Sequence, residues 1–296
     1  MRLGDDGDRS NVEDRRGEAP GSGAPMGGRG VRLGLGGTVV VLALSVLFGR
    51  DLFADLGTAP GGVPMAAPGP GTSPAQAERR ATAEKKLEGT AISAFNDAQR
   101  TWESALSRRP GGYRDAKLVL FWDQTRSGCG QAGAEMGPFY CPEDEKVYID
   151  LGFYRELATR FGAPGEFAQA YVIAHEVGHH LQNVLGIEPK VREAQRRSPG
   201  SRNALSVKLE LQADCLAGVW ARSAQGRQLL DPGDLEAGLR AAAAVGDDRL
   251  QKGATGRVSP ETFTHGSSAQ RSEWFRRGLD TGRLDACDTF RSSSTK

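Results

Sequence analysis

The chain is 296 residues long and carries 38 Lys and Arg against 37 Asp and Glu, a formal net charge of +1. That length accommodates one catalytic-sized core with appendages, and the charge balance gives no argument for nucleic acid as a partner. With four cysteines and four histidines in the whole chain, both residue types are scarce enough for their spacing to carry information.

From the start, Met1 to Gly30 is rich in Gly, Arg and Asp and almost devoid of large apolar side chains, which predicts a disordered tail over residues 1–32. Leu33–Gly49 is the one strongly apolar run, and its seventeen residues lie at the lower limit for a helix that crosses a bilayer. Arg29 and Arg32 immediately precede it, while after Arg50 the next basic residue is Arg79. That bias predicts a single-pass transmembrane helix over 33–49, a cytoplasmic N-terminus and an extracytoplasmic domain, anchored in the cell membrane. A cleaved signal peptide competes with this reading, but the preceding tail is long and no small-x-small site closely follows the run. Residues 50–80 are rich in Pro, Gly and Ala and read as a linker. The folded domain is expected over 81–296.

Ala81–Arg108 places Leu87, Ile92, Phe95, Trp102 and Leu106 at near-helical spacing and predicts a long first helix. Lys117–Trp122 and Lys146–Leu151 are short, apolar and partly β-branched or aromatic, as strands require. Pro164-Gly165 ends the next element. Phe167, Tyr171, Val172, Val177, Leu181 and Val184 then recur mostly at three- and four-residue steps, predicting a helix from Glu166 that stops at Gly186. Asp234–Val245 reads as a further helix, and 264–275 as a loop entering a last one. The expected class is α+β: mostly helical, with a small sheet beside the helix that carries the chemistry.

That helix contains His175-Glu176-Val177-Gly178-His179. Two histidines one turn apart on one face can reach a single ion, and Glu176, rotated about 100° from His175, can address a water without being a ligand. Catalytic zinc takes three protein ligands and keeps a position open. Glu210, in the apolar stretch Glu210-Leu-Gln-Ala-Asp214, supplies a third. Asp214, one turn on, is placed to accept a hydrogen bond from a ligand histidine and so fix its tautomer. Gly178 costs helix propensity and predicts a close backbone approach. His180 points elsewhere and reads as a polar residue near a cleft rim.

The cysteines depend on compartment: outside the cytoplasm disulfides are allowed. Of three possible pairings, Cys129–Cys141 is chosen because it closes a local, Gly-rich loop, leaving Cys215–Cys287. A zinc-binding cysteine cluster would show close paired spacing that is missing here, and free buried thiols are the remaining alternative.

Ser127-Gly-Cys-Gly-Gln-Ala132, Gly137-Pro-Phe-Tyr-Cys-Pro142, Val147-Tyr-Ile-Asp150, Ala174-His-Glu-Val-Gly-His-His180, Glu210-Leu-Gln-Ala-Asp-Cys215, Phe263-Thr-His-Gly-Ser-Ser268 and Cys287-Asp-Thr-Phe290 together make Lys117–Phe290 resemble a bacterial family described as putative neutral zinc metallopeptidases. The resemblance implies a membrane-anchored, zincin-like domain, one catalytic Zn2+ and a peptide or protein substrate. Similarity to the wider gluzincin class implies Glu210 as third ligand and Asp214 as its companion. In zincins a strand before the active-site helix forms a sheet edge for an extended peptide, which makes Tyr148 and Ile149 candidates for the cleft wall beside their plainer role as core. Phe263-Thr-His265 resembles a Thr-His-Pro segment of related membrane-associated gluzincins, with Gly266 where the proline stands. His265 is accordingly a candidate to stabilise an oxyanion, or else it caps or braces the last helix. The expected function is peptide-bond hydrolysis by metal-activated water with Glu176 as general base; the alternative is a zinc-bound, non-catalytic scaffold or chaperone-like binding protein at the cell envelope.

Overall fold

A computed structural model of the chain describes residues 1–4, 7–18 and 74–291. The apolar run 33–49 and the linker up to residue 73 lie outside the described residues, and among the described ones no helix is long and apolar enough to cross a membrane. The architecture is mostly helical with a small sheet.

Helix α1 (Pro74–Leu106) starts seven residues before the expected domain boundary. Ile92, Phe95, Trp102 and Leu106 are buried along one face as their spacing predicts. In the middle of that helix Asp97 is also buried and receives Trp220 Nε1 at 2.8 Å and Arg227 Nη1 at 2.5 Å, so its charge is paired rather than orphaned.

Strands β1 (Val12–Asp14), β2 (Lys117–Phe121), β3 (Gln124–Ser127), β4 (Gly130–Gly133), β5 (Phe139–Cys141) and β6 (Lys146–Asp150) follow in chain order. Four of them form one sheet in the order β1-β2-β6-β5; β1 and β6 run parallel to β2, and β5 runs antiparallel to β6. β3 and β4 form a separate hairpin. Leu118, Leu120, Val147 and Ile149 face the main core, and Val119, Phe121 and Tyr148 a smaller one. Burial on both faces explains the continuous apolar runs of β2 and β6.

Two expectations change here. Tyr148 and Ile149 are fully buried on an interior strand, not on a cleft wall. The excursion after β2 returns to lay Phe139–Cys141 outside β6, so β5 and not β6 forms the sheet edge on that side. Residues 7–18, expected to be disordered, instead build β1, with Val12, Glu13 and Asp14 in register with Leu118, Val119 and Leu120. The segment has little apolar surface of its own; main-chain pairing and ion pairs hold it.

Helices α2 (Gly152–Thr159), α3 (Glu166–Val184), α4 (Ile187–Arg197), α5 (Arg202–Gly226), α6 (Asp234–Ala244), α7 (Asp247–Thr255) and α8 (Ser268–Thr281) complete the fold. α3 begins and ends where the sequence predicts, with Gly186 left-handed after it at φ 69°. α5 and α8 touch backbone to backbone: a Cβ on Gly278 would lie 1.9 Å from the Cys215 carbonyl oxygen. Cys129–Cys141 and Cys215–Cys287 are both disulfides, the second joining α5 to the turn after α8.

Candidate metal centre

α3 brings His175 and His179 to one face, and α5 brings Glu210 to them. The crossing of the two helices is set at Gly178, where an added Cβ would lie 3.2 Å from the Ala213 carbonyl oxygen and 3.3 Å from its Cα. The close approach expected at Gly178 is therefore present, against the helix turn that carries both Glu210 and Asp214.

His175 Nε2 lies 3.2 Å from His179 Nε2 and 3.2 Å from Glu210 Oε2; His179 Nε2 lies 3.5 Å from Glu210 Oε1. Among the described residues these three form a group able to hold a metal ion. The partners of the other ring nitrogens decide what the convergence means. His175 Nδ1 is 2.9 Å from Asp214 Oδ1, and His179 Nδ1 is 2.9 Å from Gln182 Oε1. Both partners are acceptors, so both Nδ1 atoms carry the proton and both Nε2 atoms present lone pairs. Two lone pairs and a carboxylate aimed at one point fit a cation. Ligands about 2.0–2.1 Å from a tetrahedral ion sit roughly 3.3 Å apart, which matches the spacing here. Burial opposes charge on His175, yet Asp214 and Glu210 lift the imidazole to about 10, and a bound ion must displace that proton.

Four buried residues, Asp214, Tyr171, Arg271 and Gln182, support this face. Asp214 receives Tyr171 OH at 2.5 Å and a two-pronged contact from Arg271, Nε to Oδ2 at 2.8 Å and Nη2 to Oδ1 at 2.9 Å. Burial would raise the Asp214 pKa, but Arg271 and His175 hold it below the usual range. Gln182 donates to the Leu209 carbonyl at 2.7 Å and to Gln212 Oε1 at 3.1 Å, which fixes the amide that His179 meets. Gln182 and Arg271 were not singled out in the sequence, and Tyr171 was read only as part of the apolar stripe of α3. Gln182 had a signal, since it stands three residues after His179 on the same helix; Arg271 had none, because its partner is distant in the chain.

Glu176 is 7% exposed, and burial raises its pKa. His265 is held by Asp247, which takes its Nδ1 at 3.0 Å and the backbone N–H groups of Thr264, His265 and Gly266 at 2.7–3.0 Å. Burial pushes the His265 pKa down, but the Glu210 and Asp247 carboxylates raise it on balance. Ser267, with Gln270, forms the capping box of α8, so the capping role falls there and not on His265. His180 does not lie at a rim. It is fully buried, donates from Nε2 to the Arg114 carbonyl at 2.6 Å, and accepts at Nδ1 from Tyr140 OH at 3.0 Å, bracing β5 against α3.

Known proteins bear on this geometry. The family described as "putative neutral zinc metallopeptidase" matches residues 1–290. The chain is 46% identical over 284 residues to the uncharacterized protein YpfJ of Escherichia coli (strain K12), covering 96% of each. It is 42% identical over 253 residues to the uncharacterized protein Rv2575 of Mycobacterium tuberculosis (strain ATCC 25618 / H37Rv), covering 79% of this chain and 84% of that protein. No solved structure matches. With the three-donor cluster on residues that the family match spans, the chain belongs to the putative neutral zinc metallopeptidase family.

Proposed function

We propose that this protein is a zinc-dependent endopeptidase with a zincin-like domain. The observation that carries the reading is the convergence of two imidazole lone pairs and a carboxylate at 3.2–3.5 Å, with each Nδ1 already committed to an acceptor. His175, His179 and Glu210 would hold the zinc, which when bound would supply a Lewis acid for activating water and polarising a scissile carbonyl. Glu176, buried and raised in pKa, takes the proton of the attacking water and passes it to the leaving amine. His265, oriented through its Nδ1 contact with Asp247 at 3.0 Å, is the group assigned to donate to the developing oxyanion. Asp214 and Gln182 hold the two ligand imidazoles in one tautomer. The open edge of β5 offers main-chain groups to an extended peptide, and Tyr140 on that strand is tied to His180 and Asn183, on the helix that carries Glu176.

The proposed location is the outer side of the cell membrane, attached through the run 33–49. Two disulfides that use all four cysteines support an oxidising compartment.

The test is metal content and hydrolysis of an unfolded protein substrate by four purified variants. Glu176→Gln should keep zinc and lose at least about a hundredfold in turnover, whereas His175→Ala, His179→Ala and Glu210→Ala should lose the ion. Full occupancy in Glu210→Ala removes that residue from the ligand set. A wild-type protein that holds zinc but cleaves nothing moves the assignment to the scaffold reading.

A further inference from the structure

We infer that the edge of β2 and the adjoining face of α1 form a docking surface for the chain's own residues 2–16, and that this segment and the catalytic domain therefore lie on the same side of any membrane. The inference rests on contacts remote from the metal centre and does not depend on catalysis.

The fit is specific in backbone, charge and register. Leu118 N donates to the Asn11 carbonyl and Arg15 N to the Leu120 carbonyl, both at 2.8 Å, so β1 is a paired strand and not a tail lying on a surface. Glu13 meets Lys146 Nζ at 2.7 Å and Lys117 Nζ at 3.6 Å, two lysines that close off neighbouring strands of the sheet. Arg16 reaches Glu88 at 2.8 Å and Glu84 at 3.3 Å on α1, and Arg9 also pairs with Glu88. Glu84 and Glu88 of α1 are thus complementary to Arg9 and Arg16, and the lysines at the starts of β2 and β6 to Glu13. Further back, Asn96 donates to the Asp8 carbonyl at 2.9 Å and Ser93 to the Gly4 carbonyl at 3.1 Å, and Leu3 and Val12 pack on the main core. Contacts are thus made from Leu3 and Gly4 and again from Asp8 to Arg16.

A hydrogen-bonded sheet cannot be shared across about 30 Å of hydrocarbon. One transmembrane crossing between residues 18 and 74 would put β1 and β2 on opposite sides. The basic bias around the run 33–49 predicts that arrangement, and the strand pairing opposes it. A few surface arginines set a preference for orientation, whereas unpairing β1 exposes main-chain groups along the whole edge of β2. The N-terminal segment and the domain then share one compartment.

The experiment uses the full chain in its native membrane, with one reporter cysteine on each part: Ser10→Cys in the segment and Ser107→Cys at the exposed end of α1. The native cysteines are all in disulfides and stay silent. A membrane-impermeant maleimide applied to spheroplasts should label both sites or neither, with full labelling of both after permeabilisation. Labelling of one with protection of the other overturns the inference. Which of the two concordant results appears reports the compartment separately, so a failure of the proposed location is distinguishable. In the purified full chain, Arg16→Glu should accelerate amide exchange across 9–18 by about tenfold, and adding Glu84→Arg, at the acid that meets Arg16 and not Arg9, should restore part of the protection. Unchanged exchange in Arg16→Glu, or no rescue, overturns the docking surface.

Discussion

Replacing Arg271 by Met tests the buried network behind the metal centre. The Arg271 and Asp214 side chains are 4% and 0% exposed and joined by two bonds of 2.8 and 2.9 Å. Removing one partner of such a pair leaves a desolvated charge and typically costs about 3–5 kcal/mol. For a domain of this size, about 2–4 °C accompany each kcal/mol, so the melting temperature of Arg271→Met should fall by roughly 6–20 °C. Asp214→Asn strands the guanidinium instead and should cost a similar amount. The double variant Asp214→Asn/Arg271→Met carries neither charge, and its loss should be smaller than the sum of the singles by at least about 1 kcal/mol. Metal affinity should not recover with stability, because in Asp214→Asn the His175 Nδ1–H meets only a neutral acceptor; a loss of about 10–100-fold is expected. Urea unfolding and metal titration of all four proteins give the cycle. Additive losses, or a near-zero effect of Arg271→Met, would refute the claim that this pair is desolvated and coupled.

Three further outcomes follow from the geometry. His265→Ala should lower turnover by about a hundred- to a thousandfold with little change in KM, zinc content or melting temperature, and Asp247→Asn should reproduce part of that loss; a fall in stability with normal turnover makes His265 a brace. Removing the Cys129–Cys141 bridge should cost about 3 kcal/mol and removing Cys215–Cys287, with its 72-residue separation, about 4, read by denaturation of the Cys→Ala pairs; four alkylatable thiols in native protein would sink both. Glu13 is desolvated, which favours its neutral form, yet Lys146 and Arg15 depress its pKa from the ordinary 4.5 to about 2. Its contribution to holding β1 is therefore complete above pH 4.5 and fades as pH falls towards 2, so amide protection of 9–18 should drop in that window before the helical core unfolds.

What the sequence made legible is what one helix or strand encodes by itself. The stripe on α3 and the stop at Gly186 are local, and so is the four-residue spacing of His175 and His179. Glu210 and Asp214 were also readable, since a carboxylate pair in an apolar helix needs partners and the motif implied them. The disulfide pairing followed from the one local loop. Non-local pairing was beyond that reach. Nothing in Val12-Glu13-Asp14 resembles a buried strand, because its pairing is written in the edge of β2 and in the acids of α1 more than a hundred and about seventy residues away. The same limit hid the position of β5, which depends on where the loop after β2 returns, and the link from Arg271 to Asp214.

The residues that escaped the sequence show how the fold positions the candidate ligands. His175 is held through Asp214 and Arg271, which ties α3 to α5 and α8. His179 is held through a second relay: Gln182 Oε1 accepts from the imidazole, Gln182 donates to Gln212, and Gln212 donates to the Cys287 carbonyl at 2.9 Å. That carbonyl belongs to a cysteine of the bridge that pins the chain end to α5. The tautomer of His175 is thus set from α5 by Asp214 and that of His179 by Gln182 on α3 itself, whose amide is oriented by Leu209 and Gln212 of α5; α5 is fixed in turn by backbone contact at Gly278 and by the disulfide. α3 supplies the two histidines in register; the packing of α5, α8 and the C-terminal turn makes their lone pairs converge. Opening the Cys215–Cys287 bridge therefore loosens the tautomer of His179 as well as the chain end, which is why its removal should weaken metal binding beyond what the lost stability alone accounts for.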